Sequence, residues 1–154
     1  MLNVSKQLIQ TKIIIGIGIL IGLLLFKQTK PTFLKAILIG LIICFGLGYF
    51  VEFPIGTIAF ITFGILAFGF SIWCVWNKKW IQMIIGIFTF LSFVWTLFDY
   101  QFWNLLQFLM VIPLACYAWT LIKYRNYKNE LSVLTVLASY ELSEFLVIIA
   151  TWIK

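Results

Sequence analysis

Long apolar runs, separated by short polar connections, recur along the whole chain and constrain its fold more than any other feature. The run at 13–26, IIIGIGILIGLLLF, contains no polar side chain and does not alternate as the strands of a membrane β-barrel do. Only 10% of the residues are charged, too few to build an aqueous surface. The sequence therefore predicts an all-α fold, a polytopic transmembrane helical bundle forming a single integral membrane domain over 1–154, with no soluble domain.

Hydropathy divides the chain into six predicted membrane spans, because a helix needs about 20 apolar residues to cross a bilayer. They lie at about 8–26, 34–52, 55–76, 80–98, 102–122 and 131–153. Span 1 is the weakest, since it crosses only if it begins near Leu8 and Lys12 extends toward the headgroups. A cleaved signal peptide is the rival interpretation. No small-x-small cleavage site follows Phe26, which favours a retained helix.

Basic residues are concentrated in alternate connections, which predicts the orientation of the chain. The 1–2, 3–4 and 5–6 connections hold eight of the eleven basic residues: Lys27, Lys30, Lys35, Lys78, Lys79, Lys123, Arg125 and Lys128. These connections are expected to be cytoplasmic, in a multi-pass protein of the cell membrane. Both termini then lie outside, which puts Lys6 and Lys12 on the wrong side. The alternative is an interfacial helix 1 and a bundle of five spans.

Residues with catalytic or metal-binding chemistry are scarce in this sequence. It has no histidine, and its three cysteines, Cys44, Cys74 and Cys116, stand alone in different spans. It shows no metal-ligand spacing, nucleophile elbow or phosphate-binding loop. We therefore expect no enzyme, no catalytic residue, no metal and no cofactor. A net charge of +6 carried by short membrane loops fits anionic lipid headgroups as partners and does not indicate nucleic acid.

Glycines and uncharged polar residues mark the faces on which the predicted spans meet. Gly18 and Gly22 form a small-xxx-small step that lets two helix backbones approach closely, and Gly40, Gly64 and Gly86 are expected to make similar contacts. Span 6 has a polar stripe at Ser132, Thr135, Ser139 and Ser143. Spans 4 and 5 supply candidate packing or path residues: Gln82, Thr89, Ser92, Thr96, Asp99, Asn104 and Gln107. Interhelical hydrogen bonding explains most of these residues without a transported solute. Pro113 is expected to kink span 5.

Glu141 and Glu144 stand out because they lie near the middle of span 6. Each charged side chain there costs about 2.5–3.5 kcal/mol to insert. No lysine or arginine occurs at comparable depth, so at least one of the two is expected to be protonated or solvated. Tyr140 falls on the Glu144 side of the helix, where its hydroxyl can bond a carboxyl group.

Two main hypotheses for function follow, and the small size of the chain favours the first. The protein is a non-catalytic accessory or immunity-type subunit, whose glutamates meet a basic residue of another membrane protein or another copy of this chain. Alternatively, it is a small proton- or cation-coupled transporter or channel that uses the Glu141/Glu144 pair. Transport predicts an internal polar path facing span 6, and the accessory role predicts a polar patch facing lipid. A third, weaker hypothesis is that span 6 does not cross and the glutamates reach the outer surface.

The predicted orientation can be tested with single cysteines at Asn77 and Gln101, in a chain from which the three native cysteines have been removed. An impermeant thiol reagent should label Asn77→Cys only from the cytoplasmic side and Gln101→Cys only from outside. Labelling of both positions from one side would contradict the predicted threading.

Overall fold

The computed structural model describes residues 2–51, 54–98 and 109–152, and they are helical almost throughout. A 3₁₀ turn, Leu25–Gln28, extends the first helix. Across these residues there are seven α-helices and no strand: α1 (Leu2–Leu24), α2 (Thr32–Phe50), α3 (Ile55–Trp76), α4 (Trp80–Phe98), α5 (Val111–Ile122), α6 (Tyr124–Tyr127) and α7 (Leu131–Trp152). The predicted all-α helical bundle is thereby confirmed.

The helix boundaries agree closely with three of the predicted spans. α3 and α4 coincide with 55–76 and 80–98, and α7, Leu131–Trp152, lies within the predicted 131–153. α1 begins at Leu2, well before the predicted start, because polar residues at a helix end do not stop backbone hydrogen bonding. Among the residues that the structure describes, four helical segments are long and apolar enough to cross a membrane: Gln10–Gln28, Ile55–Trp76, Trp80–Leu97 and Leu131–Ala150. The total of six spans stays a prediction.

Predicted span 5 is interrupted near its proline. Leu109 is helical, Met110 forms a turn, and α5 then begins at Val111. Pro113 is the third residue of α5, in the first turn, where a backbone N–H has no acceptor within the helix. At the position of the predicted kink, a new helix therefore begins two residues before Pro113. In this first turn, the N–H that proline lacks costs no hydrogen bond.

α7 is the central helix of the bundle. Residues 130–141 are all buried, as expected for a helix that neighbours surround on every side. The helices α1, α2, α4 and α5 pack against it. Phe63 of α3 also contacts α7, and the centroid of its ring lies 4.9 Å from that of the Tyr140 ring. The core of the bundle consequently lies along the first half of α7.

α1 runs antiparallel to α7 and approaches it closely. A Cβ atom on Gly18 would collide with the side chain of Ser139, and one on Gly22 would lie 2.8 Å from Cγ2 of Val136. Toward the start of α1, Gln10 lies beside the end of α7 near Ala150. The predicted close contact of Gly18 and Gly22 is confirmed, and the antiparallel packing favours a spanning helix 1 over an interfacial one. The other predicted close approaches also occur, at Gly40, Gly64 and Gly86.

The three basic connections meet at one end of the bundle. In the 1–2 connection, the hydroxyl of Thr29 hydrogen-bonds that of Ser132 at 2.6 Å. Nearby, Tyr124 donates a hydrogen bond to Gln28. In the 3–4 connection, Lys79 pairs with Glu130, which immediately precedes α7. All three connections therefore lie on the same side, as the charge pattern predicts, and the cytoplasmic assignment of that side stays a prediction.

Replacement of the glycines on α1 tests its packing against α7. Gly22→Leu should lower the free energy of unfolding in detergent by about 1–3 kcal/mol, because the new side chain overlaps Val136 and the Ser132 carbonyl. Gly18→Leu should behave in the same way. Gly16→Leu is the matched control, since a Cβ there meets no atom within 4 Å. Equal stability of all three variants would show that α1 does not pack closely on α7.

Candidate functional site

Glu141 lies in the interior of the bundle, between α7 and α4. Its side chain is 0% exposed. The hydroxyl of Ser92, on α4, donates a hydrogen bond to Oε2 of Glu141 at 3.1 Å. Thr89, one turn earlier on α4, lies beside the same carboxyl group and donates its hydroxyl to the carbonyl of Ile85 at 2.9 Å. Within the described chain, Oε1 of Glu141 has no hydrogen-bond partner.

No basic side chain of the described residues neutralises Glu141. Lys79 forms its salt bridge with Glu130 instead. Glu130 precedes Glu141 by eleven residues, which is about 16 Å along α7 at 1.5 Å per residue. A carboxylate buried without a cation is unfavourable by several kcal/mol, so this environment stabilises the protonated form of the carboxyl group.

Glu144 lies about one turn further along α7 and lines a cavity of about 190 Å³. Tyr140 lines the same cavity, so the two residues share one compartment as the sequence predicted. The remaining walls come from α2, α3 and α4: Cys44, Phe45, Gly48, Phe60, Phe63 and Thr96. A carboxylate among aromatic rings is chemically suited to a cation, because both the negative charge and the ring faces attract it.

The polar residues predicted on span 4 separate into two groups. Gln82, Thr89 and Ser92 are buried, and Ser92 and Thr89 face Glu141. Thr96 is more exposed and belongs to the Glu144 cavity. Asp99, Asn104 and Gln107 lie outside the described residues. Span 4 therefore contributes to both glutamate environments. Ser92 and Thr89 lie beside Glu141, and Thr96 lines the Glu144 cavity.

The polar stripe of α7 is fully buried. Thr135 bonds across helices, as predicted, to the Tyr117 hydroxyl at 2.8 Å, and Ser132 bonds Thr29 of the 1–2 connection. Ser139 and Ser143 instead donate to carbonyls of α7 itself, each at 2.7 Å. The hydroxyls of this stripe are therefore satisfied, whereas Oε1 of Glu141 has no hydrogen-bond partner within the described residues.

The Lys79–Glu130 pair is a feature that sequence reasoning missed. Glu130 is only 1% exposed, whereas the Lys79 side chain keeps 29% of its surface and also lies over the Trp73 ring, 5.2 Å from its centroid. Lys78, in the left-handed region with φ 56°, reverses the chain and brings Lys79 to this position. An acidic residue directly before an apolar helix was the available signal, because carboxylates are favourable at helix N-termini.

No family model matches the chain, and no curated protein and no solved structure matches it either. The assignment of function therefore depends on the geometry of the glutamate environments.

Substitution of Lys79 tests whether the pair with Glu130 stabilises the bundle. Lys79→Ala should lower the free energy of unfolding by about 3 kcal/mol, because it leaves Glu130 buried without a cation. Lys78→Ala is the control, since Lys78 is exposed in the same turn. Adding Glu130→Gln to Lys79→Ala should restore most of the loss, as chemical unfolding in detergent can measure. A Lys79→Ala variant as stable as its control would show that the pair has no structural role.

Proposed function

We propose that the protein is a small multi-pass protein of the cell membrane that binds a proton at Glu141 and acts as a proton- or cation-coupled transporter or channel. The observation that carries this proposal is the full burial of Glu141 between α4 and α7, where, among the side chains that the structure describes, hydroxyls and no cation approach it. Ionisable groups held in this way within membrane helices are characteristic of proton and ion pathways.

The direction in which the polar residues face supports transport over an accessory role. An accessory subunit is expected to present its polar residues to lipid, where a partner helix can reach them. The exposed large side chains of α7 are instead apolar, at Leu142 and Leu146. The hydroxyl residues of the α7 stripe, Glu141 and the α4 hydroxyls of Thr89 and Ser92 are buried, whereas Glu144 is half-buried.

The atoms around Glu141 suit a proton better than a metal ion. Hard cations such as Ca²⁺ and Mg²⁺ take about six or more oxygen ligands. Among the described residues, Glu141 is approached by the hydroxyls of Ser92 and Thr89, which supply fewer oxygen atoms than such an ion requires. The cavity at Glu144, with its aromatic walls, suits a larger cation better. In this proposal Glu141 binds the proton and Glu144 binds the cation.

Removal of the Glu141 charge tests the proposal directly. Purified protein in liposomes should carry a pH-dependent ion flux, which Glu141→Gln should reduce to the level of protein-free liposomes while folding is retained. Glu144→Gln should also reduce the flux. Absence of flux from the wild-type chain, together with loss of partner capture in the same variants, would favour the accessory role instead.

Infrared spectroscopy tests the chemical state of the carboxyl independently of transport. A carbonyl band of a protonated, buried carboxyl should be present in the wild-type protein and absent in Glu141→Gln. Ser92→Ala should shift that band, because it removes the hydrogen bond to Oε2. Ser71→Ala is the matched control, a buried serine that bonds the Ala67 carbonyl of its own helix. Carboxyl groups that ionise like exposed glutamate, near pH 4.3, would contradict a buried proton site.

A further inference from the structure

A groove lies between α1 and α5, with α7 as its floor. Its volume is about 270 Å³. α1 supplies one wall, with Ile14, Ile17 and Ile21, and α5 supplies the other, with Leu114 and Tyr117. The floor consists of α7 residues that include Ala138 and Leu142. Since Ile17 and Ile21 are exposed, the groove opens on the outer surface of the bundle.

The polar atoms at the base of this groove are already satisfied. The Tyr117 hydroxyl bonds that of Thr135 at 2.8 Å, and Thr135 also bonds the Leu131 carbonyl. Ser139 donates its hydroxyl to the Val136 carbonyl. A polar solute would find few free hydrogen-bonding groups here, whereas a hydrocarbon chain needs none. The groove is therefore suited to an acyl chain.

The groove is short enough to lie within one leaflet of a bilayer. From Ile14 to Ile21 the α1 wall is about 10 Å long, compared with about 15 Å for half of the hydrocarbon core. Its lower limit, Leu142, is at the middle of α7, and its upper limit, Ile21, is six residues before Lys27. Tyr117 is likewise six residues before Lys123. On both walls, a basic residue therefore lies about 9 Å beyond the end of the groove, measured along the helix axis. This places it at the level of the lipid headgroups.

One hydrogen bond holds the basic residues Lys27, Lys123 and Arg125 close together above the groove. Tyr124 of α6 donates to Gln28 at the end of the 3₁₀ turn. Lys27 is the neighbour of Gln28, and Lys123 and Arg125 flank Tyr124, so this bond brings two basic segments together. All three basic residues are exposed. The carboxylate of the described chain at this end, Glu130, is buried and paired with Lys79.

We infer that this groove and the basic cluster above it, Lys27, Lys123 and Arg125, form a binding site for one anionic glycerophospholipid. The acyl chain lies on α7 between α1 and α5, and the phosphate group is held by the basic cluster. This site is separate from Glu141 and Glu144, so it does not depend on the proposed transport function.

Native mass spectrometry of the full chain, purified in a neutral detergent, tests the site. Phosphatidylglycerol and phosphatidylcholine with the same acyl chains are added at equal concentrations. The wild-type protein should retain one phosphatidylglycerol in clear preference to phosphatidylcholine. Lys27→Gln and Arg125→Gln should each reduce that preference about fivefold, the effect of one basic residue near anionic lipid. Lys78→Gln removes an equally exposed charge from the α3–α4 turn and should leave the preference unchanged.

Two further measurements separate a built site from general charge attraction. Tyr124→Phe keeps every charge but removes the bond to Gln28, so it should also weaken the preference. Soluble glycerol phosphate should not displace the retained lipid, because it has no acyl chain for the groove. Equal retention of the two lipids by the wild-type protein, or an equal loss in Lys78→Gln and Arg125→Gln, would overturn the inference. Displacement by glycerol phosphate would do the same.

Discussion

Burial of the first half of α7 on every side is the constraint on which the rest of the structure depends. A central helix in an apolar bundle has no water to hydrogen-bond, so each of its polar side chains must be satisfied by a neighbour or by its own backbone. Thr29 meets Ser132, Tyr117 meets Thr135, and Ser92 meets Glu141. These bonds fix which face each surrounding helix turns toward α7.

The two buried glutamates associated with α7 show how the position along the helix decides the role of a carboxyl group. Glu130 lies at the end of the bundle, where a lysine with a partly exposed side chain can reach it from the α3–α4 turn. Glu141 lies about 16 Å deeper, where a basic side chain would itself be costly to bury. The first carboxylate is therefore a structural partner of a cation. The second is approached by the hydroxyls of Ser92 and Thr89, which suits a group that gains and loses a proton.

The small residues of α1 affect both the interior and the surface of the bundle. Gly18 and Gly22 allow α1 to lie directly on α7, next to Ser139 and Val136. α5 packs on α7 from another side and bonds it through Tyr117. A strip of α7 consequently remains between the two helices, and this strip forms the floor of the apolar groove. The hydrogen bond from Tyr124 to Gln28 joins the same two walls at the basic end.

The sequence by itself determined the helices and the depth of their unusual residues. The bounds of α3, α4 and α7 follow from hydropathy and from backbone hydrogen bonds within each helix, which are local properties. The close contact of Gly18 and Gly22 followed from their spacing in the same way. Only the tertiary structure decided that Ser92 meets Glu141 while Thr96 lines the Glu144 cavity, and that Lys79 pairs with Glu130 across 51 positions. The reason is that these contacts depend on the rotation and neighbours of each helix. A shift of one residue turns a side chain by about 100°, and the apolar pattern of a lipid-facing helix does not specify that angle.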